Sequence, residues 1–267
     1  MADRNEELNK LINASGFLLQ LALENEINHL KKSDLSVTRE HPWKSSIADK
    51  DGFIDLIVST GMMRFVIECK RPRDGVWVFL VQNNAQNIIE KSRSLWSSSK
   101  INAPSTSGIN DFYFTPNSYE SDVCIIRGQN DQDKPLLERI ASQVLLSQDC
   151  LIIEELGFVE RHRFPTQLIY VPVIVTAAKL FICKVDPSKI DINSGTLSDA
   201  TFEEVPLVRF RKSLVSDLSI GADPFDLHGS NRDRERTVFV INSNHFAAVL
   251  NQWRIDAFSN NGRPPWD

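Results

Sequence analysis

Three charged residues interrupt two runs that are otherwise mostly apolar. Asp55 lies within 53–59, and Glu68 and Lys70 lie within 63–70. The runs flank Thr60-Gly61, where glycine supplies the backbone freedom of a tight reversal, so the stretch from Asp51 to Arg71 reads as a β-hairpin. Side chains alternate across a strand, which sends Glu68 and Lys70 to one face and Cys69 to the other. Folding back at the turn brings Asp55 opposite Glu68 or diagonal to it, and the sequence leaves both registers open. In either, two carboxylates come within reach of one divalent ion. Such a pair is costly to bury without a cation between its members. A few oxygen ligands suit Mg²⁺ or Mn²⁺, which keep several waters. An ammonium two residues from a metal ligand can position an attacking water and stabilise a phosphorane-like transition state. An internal salt bridge between Lys70 and one carboxylate is the plainer alternative, and it leaves the other acid of an apolar hairpin unexplained.

Asp55, twelve intervening residues and then Glu68-Cys69-Lys70 resembles the active-site hairpin of the PD-(D/E)xK nuclease superfamily, although Ile54 stands where many members have proline. The resemblance implies a divalent-metal-dependent endonuclease, with Asp55 and Glu68 on Mg²⁺ (or Mn²⁺), the Cys69 carbonyl as a backbone ligand and Lys70 positioning the water. It implies cleavage to a 5′-phosphate and a 3′-hydroxyl. In that superfamily a glutamate on the helix before the sheet often joins the metal site. Glu24 sits where that pattern puts it, with Glu26 as its rival. A glutamine or a basic residue on a later helix sometimes lies near the substrate, a role for Gln143. The implied substrate is DNA, with RNA still open, and the setting is bacterial defence or restriction. The nuclease either acts alone, as a homodimer if both strands of a duplex are cut, or serves as one subunit of a complex whose partner chooses the target. A catalytically silent interaction module of the same fold is the non-enzymatic alternative.

The elements that must position these residues follow from periodicity. Residues 3–13 read as a first helix, and 17–31 as a strong second one, with Glu24 bordering its packed stripe. Residues 35–43 read as a strand ending near Pro42, the hairpin follows, and Val76–Val81 after an Asp74-Gly75 turn is another strand. Serine-rich Ser94–Ser107 reads as loop, so 82–130 is taken as an insertion decorating the fold. A helix opens at Lys134-Pro135 and runs to about Leu156, where Gly157 should stop it. Leu168–Thr176 reads as a strand buried on both faces, with Pro172 awkward at its centre. Phe181–Val185, Val205–Phe210 and Thr237–Ile241 read as strands, and Asn244–Trp253 as a helix. The order matches the αβββαβ core of the restriction-endonuclease-like fold, a central mixed sheet flanked by helices. The expectation is one domain over 1–267, with the core at about 17–185 and a C-terminal elaboration at 186–267.

Composition narrows the function classes. The chain has 267 residues, 42% hydrophobic and 24% charged, ordinary for a globular domain. A formal net charge of −5 argues against indiscriminate polyanion binding. A nucleic-acid enzyme would then need local cations, for which Arg71 and the Arg209, Arg211 and Lys212 cluster, interleaved with Phe210, are candidates. Arg232-Asp-Arg-Glu-Arg236 alternates with acids and reads as a solvated face. The four cysteines are far apart without a CxxC, and the five histidines show no zinc-ligand spacing, which points to reduced thiols in the cytoplasm. No signal-peptide core follows the charged N-terminus, and no apolar run is long enough to span a bilayer.

Overall fold

The computed structural model describes residues 2–30, 32, 34–71, 75–83, 88–101, 103–127, 135–214, 232–258 and 264–265; Asp74 and Lys134 of the expected turn and helix start lie outside them. Helices α1 (Ala2–Ala14) and α2 (Phe17–His29) precede an antiparallel meander of β1 (Ser36–Ser45), β2 (Lys50–Thr60) and β3 (Met63–Lys70). Next come β4 (Val76–Gln82), the long strands β5 (Ile88–Ser99) and β6 (Thr106–Ser121), and short β7 (Cys124–Ile126). Helix α3 (Leu136–His162) leads to β8 (Thr166–Thr176), β9 (Lys179–Val185), β10 (Thr201–Val205), β11 (Leu207–Ser213) and β12 (Glu235–Asn242). Helix α4 (Phe246–Gln252) and β13 (Arg254–Phe258) come last.

The strands β1, β2, β3 and β8 lie side by side, with β8 parallel to β3. The sheet does not end there as an open layer. From β8 it passes to β12, β11, β6 and β5, and β5 returns to β8. Five strands thus close into a barrel, β13 adds to β6, and β1–β3 extend from β8. This closure overturns the expectation of a restriction-endonuclease-like sheet flanked by helices. The segments expected to be peripheral build the ring. Residues 82–130, read as an insertion, supply β5 and β6, and residues 186–267, read as an elaboration, supply β11 and β12. Of the serines that suggested a loop, Ser94, Ser97, Ser98 and Ser99 are buried strand residues. Closing the ring leaves its strands without an open edge. Strand β4 belongs to a separate sheet of order β10-β9-β4-β7.

Pro172 is compatible with a central strand because of where the neighbours change. One edge of β8 pairs with β3 over Ile169–Thr176. Its other edge pairs with β5 over Thr166–Tyr170 and with β12 over Val173–Thr176. Pro172 falls at the changeover on that second edge, where a missing N–H costs least.

Helix α3 passes through Gly157 and ends one turn later, at Arg163 in the left-handed region (φ 56°), whose N–H bonds to the Val159 carbonyl. The expected stop at Gly157 therefore fails: one glycine costs an interior helix only about 1 kcal/mol, which packing repays. Leu137, Ile140, Val144 and Ile152 of α3 join Tyr170, Val238 and Trp77 in one apolar cluster. Leu23 and Ile27 of α2 and Leu250 of α4 join Phe65, Val171 and Phe239 in another. Both faces of β3 and β8 are therefore covered, and the charged residues of the hairpin sit at the margin of that buried region. Among the described residues no helix is long and apolar enough to cross a membrane.

Candidate functional site

The β2–β3 ladder ends at the pair Leu56 and Ile67, and the next step of that register sets Asp55 opposite Glu68. Val66 packs into one apolar cluster and Phe65, Ile67 and Cys69 into the other, so alternation puts Glu68 on the Val66 face. Glu68 is buried and Lys70 is partly exposed. Lys70 Nζ lies 2.5 Å from Glu68 Oε1. The Cys69 N–H donates to Asp55 Oδ2 at 2.6 Å, which ties the Asp55 side chain to the neighbouring strand.

Burial and the charge of Glu68 raise the Asp55 pKa from 3.8 to about 6. The Cys69 N–H and Lys70 oppose that rise, and Glu40 adds to it. The Cys69 thiol is pushed up as well, by burial first and by Asp55 and Glu68 next, so its sulfur stays a neutral thiol near neutral pH. Sequence reasoning missed Glu40. The pairs Arg39–Leu56 and His41–Ile54 bracket it, which puts Glu40 of β1 at the register position of Asp55. Its φ of 49° is unusual inside a strand. No periodic pattern marks it, because the signal is a register across three strands.

The remaining expected residues do not gather here. Glu24 pairs with Arg39 at 3.0 Å and is not among the charges that act on Asp55. Gln143 is exposed on α3, so the helix turns it away from the packed face that adjoins the sheet. Arg71 is exposed and donates to the Asn13 carbonyl. Two of the three cations expected to contact phosphates are internal. Arg209 is 0% exposed, and its guanidinium donates to Ser92 and Ser118 Oγ and to the carbonyls of Phe114 and Pro116. It lies 5.2 Å from the Phe239 ring centroid. Arg211 is bound by Glu235 at 2.7 Å, and Lys212 by Glu138 at 2.5 Å. Arg209 and Arg211 are thus taken up by the fold and the phosphate contacts expected of them do not hold, whereas Lys212, beside Glu138 of α3, keeps its side chain 33% exposed. Arg236, read as part of a solvated face, is buried against Asp149 and Gln148 of α3.

Two clefts lie elsewhere. One of about 560 Å³ is lined by Trp43, Asp51, Phe53, Cys150 and Glu154, and one of about 340 Å³ by Tyr119, Leu207, His245, Val249 and Gln252. Among the described residues no three or more His, Cys, Asp or Glu side chains are grouped to hold a metal ion. The hairpin offers two carboxylates, Asp55 and Glu68, and not a cage of protein ligands. Comparison with family models, with curated proteins and with solved structures yields no match.

Proposed function

We propose that the hairpin carries divalent-metal-dependent hydrolysis of phosphodiesters, with DNA as the substrate. The observation that supports this most is the pair of half-buried Asp55 and buried Glu68, close enough that Glu68 helps hold the Asp55 pKa at about 6. A cation between the two carboxylates relieves both the burial of charge and its repulsion. Asp55 and Glu68 would hold Mg²⁺ or Mn²⁺, and the ion would supply charge neutralisation and an acidified water. Cys69 fixes Asp55 through its N–H, while Lys70 is within reach of a water beside Glu68. Arg71, exposed beside the hairpin, is the remaining candidate for contact with the phosphate backbone. The four free thiols support a cytoplasmic setting. With Arg209 and Arg211 internal and Lys212 paired with Glu138, target choice through a partner protein of a defence system gains weight over a lone enzyme.

A second reading has its own observation. Lys70 already neutralises Glu68 at 2.5 Å, which suits a structural ion pair in a non-catalytic interaction module. Cleavage of labelled duplex, single-stranded DNA and RNA with Mg²⁺, Mn²⁺ or EDTA separates the two. The nuclease reading expects metal-dependent cutting that disappears in both Glu68→Ala and Lys70→Ala. No cutting together with a measurable Mn²⁺ affinity at the hairpin points to a missing partner. No cutting and no metal affinity leaves the interaction module.

A further inference from the structure

The last turn of α3 presents a surface of another kind. Phe158 and His162 are one turn apart and stack, with ring centroids 4.2 Å apart. Phe164 follows the left-handed Arg163, its plane 16° from each of the other two and its centroid 6.5 Å and 6.4 Å away. Backbone bonds hold the set: Phe164 N–H donates to the Val159 carbonyl, and His162 Nδ1 lies 2.9 Å from the Phe158 carbonyl. An apolar contact across a left-handed cap is an ordinary way to finish a helix. Here, however, Phe158 remains 48% exposed and Phe164 55% exposed. Arg161 and Arg163 are exposed on either side of His162, and Glu160 is the one acid between Gly157 and Phe164.

Parallel exposed rings flanked by guanidinium groups match one kind of partner well. Unpaired bases have π faces to stack on such rings, and a phosphate backbone complements the arginines. The bases of a duplex are already stacked on one another and gain little from the rings. We propose that this turn is a stacking platform for single-stranded nucleic acid. The proposal goes beyond the hairpin chemistry and does not depend on it. Phe164 leads into the start of β8, whereas Glu68 and Lys70 lie near its end, where Lys70 pairs with Thr176.

The test is fluorescence anisotropy of a labelled oligodeoxythymidine of about 12 nucleotides, and of its duplex, titrated with the full chain. EDTA is present, so the outcome is independent of any metal-dependent cleavage. The expected result is single-strand binding tighter than duplex binding and weakened by salt, with a loss of about tenfold in Phe158→Ala and in Phe164→Ala. Arg163→Gly is the control against misfolding: glycine suits the left-handed cap, so affinity falls while Tm is held or raised. No single-strand binding at about 100 µM protein overturns the proposal. So does an affinity unchanged in the phenylalanine variants and in Arg163→Gly, or rings that prove to drive self-association of the chain with no effect on the oligonucleotide.

Discussion

At Arg209 a cation is enclosed by acceptors from β5 and β6; at Lys70 a cation meets one oxygen of Glu68 and keeps its side chain 36% exposed. Burial pulls the Arg209 pKa down to about 10, against Glu120 and Glu90, so the guanidinium stays charged at neutral pH. Its neighbours answer that charge with fixed dipoles and leave it little capacity for a ligand. At the hairpin the imbalance runs the other way. Two acids face one ammonium, with Glu40 adjoining, and Asp55 takes up the excess as a raised proton affinity. Residue type does not separate the two regions. What separates them is how far each charge is already satisfied by the fold.

The largest expected effect lies on the saturated side. Arg209→Met leaves the Phe114 and Pro116 carbonyls without their donor and should cost about 4 kcal/mol, read in urea unfolding, with Tm lower by roughly 10 °C. A loss under about 1 kcal/mol would break the comparison. Asp149→Ala comes next. It removes the acid from buried Arg236, whose Nε and Nη1 have no hydrogen-bond partner among the described residues, and should cost about 3 kcal/mol.

On the unbalanced side the sign reverses. The folded Asp55 pKa of about 6 exceeds 3.8, so the folded form favours the proton. The stability this confers is complete below pH 3.8 and is lost as pH rises through about 6. Asp55→Asn should therefore stabilise by about 1–2 kcal/mol at pH 7 and by much less at pH 4, seen as a shift of the urea midpoint. Mg²⁺ should raise the Tm of the native chain at pH 7 and leave that of Asp55→Asn unmoved. The smallest effect is expected at Gln143. Exposed on α3, Gln143→Ala should change stability by less than about 0.5 kcal/mol and leave any cleavage intact; a large loss of cleavage would return it to the site.

Much of the candidate site was legible because it is local. The Thr60-Gly61 turn, the alternation through Glu68-Cys69-Lys70 and the apolar runs specify a hairpin with little help from the rest of the chain. The distant contributions were not legible. Glu40 reaches the site only through the register of β1 on β2, and Glu24 is drawn to Arg39 by a strand its helix does not announce. The barrel was hidden for a related reason. Serines are small enough to be buried beside β-strand backbone, so Ser94 to Ser99 look like loop until β8 pairs with Leu95–Ser99 and Tyr170 supplies a partner for Ser97.

The sequence by itself determined the turn, the strand periods, the long helix and the two carboxylates with their lysine, because these depend on residues within a few positions of one another. Only the tertiary structure decided that the sheet closes on itself, that Arg209, Arg211 and Arg236 turn inward, and that the β2–β3 register sets Asp55 opposite Glu68. Closure and burial depend on pairing between strands far apart in the chain. A charged side chain therefore shows whether it serves the fold or faces a ligand only once those strands have met.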